Sequence, residues 1–144
     1  MYFFSASEQE TAKIAAHLSE LIFPGDNIKL TGKMGSGKSF LCRALIKHLG
    51  YNDIVPSPTF TLINQYNNIK KNNQIITIWH ADMYRLATPA EVRALGMEEL
   101  LHNDKDIVLI EWADQFPSVF KHCKEIKLEI KSDTERTITA SLRN

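Results

Sequence analysis

The sequence predicts an α/β fold in which a mixed β-sheet is flanked by helices and extended by antiparallel hairpins. Three observations predict it. Residues Gly32-Lys33-Met34-Gly35-Ser36-Gly37-Lys38-Ser39 satisfy the pattern GxxxxGK[ST], the signature of a loop that cradles nucleotide phosphates. The loop stands between the apolar run Ile28 to Thr31 and the helix-like run Phe40 to Leu49, the strand-loop-helix order it requires. Further along, two pairs of β-prone runs are each divided by a polar stretch, as in hairpins. The expected architecture is therefore P-loop NTPase-like, in one domain spanning residues 1–144, a length that buries roughly two-thirds of the surface the unfolded chain exposes.

The elements follow in order. After a short apolar start at Tyr2 to Phe4, Ser7 and Glu10 form a capping box for a helix with Ile14, Ala15, Leu18, Leu21 and Ile22 on its apolar face. Pro24-Gly25 ends it. Asn27 to Thr31 is too short and too evenly apolar for an amphipathic helix, and it reads as the buried strand feeding the loop. The helix after the loop stops at Gly50. Pro56 and Pro58 then restrict their own φ and their neighbours' backbones, so Asp53 to Thr59 is expected to be an extended loop. Phe60 to Tyr66 and Gln74 to His80 suggest a hairpin, with Asn67 to Asn73 between them and Lys70-Lys71 at the solvated tip. Thr88-Pro89-Ala90-Glu91 opens a short helix ending near Gly96. Asp106 to Ile110 reads as another buried strand, and Glu125 to Ile130 with Arg136 to Leu142 as a closing hairpin.

The loop's chemistry follows from its residue types. Its glycines permit backbone angles and close approaches that a Cβ would block, so successive N–H groups can turn toward phosphate oxygens. Lys38 supplies charge to the β- and γ-phosphates, Ser39 offers a hydroxyl to Mg²⁺, and the following helix points its positive end at the anion. Such a site also needs carboxylates. Glu111 follows the apolar run Ile107 to Ile110, and Asp82 follows the strand ending at Trp79-His80. Both are expected at the carboxyl edge of the sheet, where ligands bind in open α/β folds. One could hold the metal while the other orients or deprotonates the attacking water. His80 reads as a hydrogen-bonded structural residue, Trp112 as packing beside the site, and Lys33 as pointing to solvent.

Composition narrows the function classes. Lys plus Arg and Asp plus Glu are 17 each, so no general basic field holds the chain on nucleic acid, and an RNA connection is expected to run through a partner. Cys42 and Cys123 form no CxxC pair and read as reduced thiols in a cytoplasmic protein. No signal peptide or membrane-spanning run is apparent.

With these pieces in order, the sequence resembles the bacterial TsaE family, also called YjeE, the small ATPase of threonylcarbamoyladenosine tRNA modification. The resemblance spans nearly the whole chain and rests on Gly32 to Ser39, Ser57-Pro58-Thr59-Phe60-Thr61, His80-x-Asp82-x-Tyr84-Arg85 and Glu111-Trp112. Family members commonly carry an acid after the first loop glycine and Thr at the loop's end, where this chain has Lys33 and Ser39. The resemblance implies ATP and Mg²⁺ as ligands and the TsaD and TsaB proteins as partners, with tRNA reached through that complex. It also implies that Gly35, Ser36, Gly37, Lys38, Ser39 and Phe40 hold phosphates, that Ser39 and Glu111 hold the metal, and that Asp82 serves hydrolysis beside Lys38. Thr11 and Arg136 are further candidates for nucleotide contact.

Two other functions share the loop. A small-molecule kinase needs an acceptor pocket and usually an arginine-bearing lid, whereas Arg43, Arg85, Arg93, Arg136 and Arg143 are scattered. A non-hydrolysing sensor would use Asp53 to Thr61 as a switch ordered by the γ-phosphate.

Overall fold

The computed structural model describes residues 1–56 and 61–143. Its strands are β1 (Tyr2–Ser5), β2 (Asn27–Thr31), β3 (Ile63–Lys71), β4 (Gln74–Asp82), β5 (Ile107–Glu111), β6 (Lys124–Ile130) and β7 (Arg136–Ser141). The helices are α1 (Glu8–Ser19), α2 (Lys38–His48), α3 (Pro89–Ala94) and α4 (Met97–Leu101), with a 3₁₀ turn at Ala113–Gln115. The strands form one sheet in the order β1-β7-β6-β2-β5-β4-β3. Strands β6, β2, β5 and β4 are mutually parallel where they pair, while β1, β7 and β3 join antiparallel. The expected α/β class, with a mixed sheet and hairpins, is the observed one.

Burial explains the parallel centre. All five residues of β5 are buried, as a strand covered on both faces requires. On one face Leu109 and Ile78 pack with Leu18, Ile22, Leu41 and Leu45 of the α1–α2 layer. On the other, Val108 and Ile110 meet Val92, Met97 and Phe120. Both capping signatures close as read: Ser7 Oγ accepts the Glu10 N–H at 3.1 Å, and Thr88 Oγ1 accepts that of Glu91 at 3.2 Å.

One local expectation, the hairpin tip, needs correction, and two elements had not been assigned. The apolar start is strand β1, paired to β7 with Tyr2 opposite Thr139. The hairpin tip is Asn72-Asn73, both with positive φ, as a two-residue turn matching the strand twist demands. Lys70 and Lys71 lie within β3, whose pairing shifts between Tyr66 and Ile69. Beyond Gly96 the chain turns into a further helix, α4, that the sequence reading omitted. Most of the motif Ser57 to Thr61 lies outside the described residues. No helix among the described residues is long and apolar enough to cross a membrane.

Candidate nucleotide and metal site

The loop leaves the carboxyl end of β2 and enters α2, whose first residue is Lys38. Gly32, at φ 145°, passes so close to β6 that a Cβ there would lie 2.5 Å from the Leu128 carbonyl oxygen. Gly35 and Gly37 have φ of 81° and 100°, angles that side chains disfavour. Lys38 folds back over the loop: its Nζ donates to the Gly32 carbonyl and, at 3.4 Å, to that of Lys33. The same ammonium stands 3.6 Å from the centroid of the Trp112 ring, a cation–π contact. Burial lowers the Lys38 pKa, against the opposing pull of Asp114, Glu111 and Asp82. Lys33 is exposed, as expected.

The carboxylates arrive through sheet register. In the parallel β4–β5 pair, His80 lies opposite Leu109 and Asp82 opposite Glu111. Two-residue alternation therefore puts His80, Asp82 and Glu111 on the sheet face that carries Leu109, toward α2. Glu111 Oε1 accepts the Ser39 hydroxyl at 2.8 Å, and Oε2 faces His80 Nε2 at 2.6 Å. Burial pushes the Glu111 pKa up, but the His80 hydrogen bond and charge, with Ser39 and Lys38, bring it below the usual glutamate value. Asp82 is also buried, and its Oδ1 accepts the Tyr84 N–H at 2.9 Å.

A second group of candidates lines a neighbouring cavity of about 430 Å³, where Thr11, Gly35, Ser36, Gly37, Phe40 and Arg136 come together. Thr11 Oγ1 pairs with Ser5 Oγ at 2.7 Å. Arg136 reaches across from β7, donating through Nε to the Ser36 carbonyl and through Nη2 to that of Gly35, each at 3.2 Å. The candidate residues thus divide between a carboxylate edge and a cavity flanking the loop, and the loop and the start of α2 join the two. Ser39 and Glu111 supply hard oxygen donors with an ionised carboxylate, the set Mg²⁺ accepts.

Trp112, expected beside the site, is found there, and Asp114 joins it unforeseen. Trp112 lies beneath Lys38 in a left-handed conformation at φ 60°, and Asp114 follows within reach of the Lys38 charge. The signal for Asp114 was the spacing Glu111-Trp112-x-Asp114 just past a buried strand, which carries all three side chains to the loop. His80 is structural, as expected, but the group it holds is Glu111.

A mixed parallel-centred sheet, a glycine-rich loop opening a helix, and a strand-end carboxylate bonded to the loop serine define a P-loop α/β protein. The family model described as threonylcarbamoyl adenosine biosynthesis protein TsaE matches residues 5–139. The chain belongs to the TsaE family. It is 39% identical over 136 residues to the Rickettsia felis tRNA threonylcarbamoyladenosine biosynthesis protein TsaE, covering 90% of this chain and 73% of that protein. It is 32% identical over 139 residues to the Bacillus subtilis protein of the same name, covering 94% and 81%. The crystal structure of Bacillus subtilis YdiB superposes with a TM-score of 0.75 at 26% identity, covering 98% of this chain and 85% of that one.

Proposed function

We propose that this chain is a Mg²⁺-dependent ATPase supporting threonylcarbamoyl modification of adenosine in tRNA, in the cytoplasm, with TsaD-like and TsaB-like partners. The observation that carries the proposal is the bonded series Ser39, Glu111, His80 at the mouth of the phosphate loop. The names of the curated relatives connect the family with the tRNA modification.

Phosphates enter along the loop's N–H groups and the start of α2. Lys38 leaves its loop carbonyls and Trp112 for the β- and γ-phosphate oxygens, exchanging neutral acceptors for charged ones. Thr11, Phe40 and Arg136 line the flanking cavity that takes the nucleoside end. Ser39 and Glu111 hold Mg²⁺, which when bound offsets charge on the transferring phosphoryl group. Asp82, opposite Glu111 in the sheet register, orients the attacking water and accepts its proton.

Asp82→Asn tests this. The amide oxygen can still accept the Tyr84 N–H, so ATP should bind within a few-fold of wild type. Partner-stimulated hydrolysis should fall by roughly 10²-fold, the scale of a lost positioned base. A normal single-turnover rate in the folded variant would return Asp82 to capping the turn after β4.

A further inference from the structure

One buried thiol, beside His80 and Glu111, is not used by the mechanism above. Cys42 lies on α2, three residues after Ser39 and so on the same helix face. It is fully buried, and a ligand atom from each of Cys42, His80 and Glu111 lies within 4.8 Å of the other two. We propose that these three residues form a binding site for one thiophilic divalent cation of the zinc class, which draws Glu111 away from Ser39.

Four features favour that ligand. A sulfur, an imidazole nitrogen and a carboxylate oxygen are the donors zinc takes at about 2.0–2.3 Å. His80 is 1% exposed and its Nδ1 has no hydrogen-bond partner, whereas most buried ring nitrogens have one. The ring proton can therefore pass to Nδ1 and leave Nε2, which faces Glu111, to the metal. Charge balances as well: a thiolate, a carboxylate and a neutral imidazole make the site neutral with a dication, which limits the cost of burying the ions.

Coordination forms the sulfur–metal bond as the Cys42 thiol releases its proton to solvent. The thiol resists that loss without a metal, since burial raises its pKa well above the ordinary value. A hard ion such as Mg²⁺ gains little from sulfur, so the two cations are drawn to opposite sides of Glu111. Zinc binding therefore antagonises Mg²⁺·ATP. That consequence rests on the proposed function, but the binding itself does not.

The test separates them. Cd²⁺ is titrated into the intact protein without nucleotide, following the ultraviolet thiolate-to-cadmium charge-transfer band. Wild type and Cys123→Ser should show the band at one ion per chain. Cys42→Ala and the near-isosteric Cys42→Ser should lose it and bind at least tenfold more weakly, the minimum expected for loss of metal-site support. No band in folded wild type, or a band that follows Cys123, overturns the site. ATP hydrolysis is then measured with added Zn²⁺, where wild type should lose activity and Cys42→Ser keep it. Equal zinc sensitivity in both overturns the antagonism. Absence of hydrolysis in every protein would instead refute the proposed function, with the site still judged by the Cd²⁺ band.

Discussion

His80 and Glu111 face each other across a 2.6 Å hydrogen bond while each is 1% exposed to solvent. Their chain positions are remote, and parallel β4–β5 pairing brings them together. A buried carboxylate held by an imidazole has little freedom to turn, so its other oxygen is fixed on Ser39. Replacing His80 by alanine removes this restraint and leaves the acid buried without its strongest partner. The expected result is weaker Mg²⁺-dependent ATP binding with smaller loss of binding in EDTA. Paired calorimetric titrations check it.

The same bond gives a pH dependence. The folded-state pKa of Glu111 is depressed, so its titration-linked stability is complete above the unfolded glutamate pKa of about 4.3 and is lost as pH falls through the folded value. Relative to Glu111→Gln, the wild-type melting temperature should therefore drop as pH is lowered below that unfolded value, and hold a constant offset near neutrality. Thermal melts of both proteins from neutral to acid pH measure it.

How much of this was legible in the sequence depended on whether local pattern or distant register set the feature. Strand β5 was readable because a strand buried on both faces is a near-continuous apolar run, and the two capping boxes because their partners lie three residues apart. The β3 boundaries were not readable. As an edge strand with a pairing shift, it carries Asn67, Asn68, Lys70 and Lys71, which mimic a loop. The site followed the same division: Lys38, Ser39, Asp82 and Glu111 announced themselves by motif and strand end. The Lys38–Trp112 contact depends on a left-handed turn at Trp112 that no bulky residue signals.

Gly32→Ala should damage the loop more than its small size suggests. The added methyl would meet a backbone carbonyl oxygen of β6 at 2.5 Å, and the residue's φ of 145° is unsuited to a side chain. A loss of about 1–3 kcal/mol in unfolding free energy is expected, together with weakened ATP binding. Urea melts and nucleotide titration on one preparation check both parts.

Lys38→Ala removes the charge proposed for the β- and γ-phosphates and also the cation above Trp112. ATP affinity should fall by roughly 10- to 100-fold, matching the loss of charge-assisted hydrogen bonds. In a Trp79→Phe background, where Trp112 is the remaining tryptophan, Mg²⁺·ATP should change the indole emission of the otherwise intact chain and leave that of the Lys38→Ala variant nearly constant. Fluorescence titration supplies both readings.

Partner-dependent ATP hydrolysis is the central claim, and phosphate release tests it most directly. The purified chain is assayed with Mg²⁺·ATP alone and then with TsaD-like and TsaB-like proteins and tRNA, using Lys38→Ala and Asp82→Asn as controls. Slow release alone, a large rise with the partners, and loss of that rise in both variants are expected. A rate that stays at background with every partner present, while ATP binds normally, would contradict the account and leave a nucleotide-sensing module in its place.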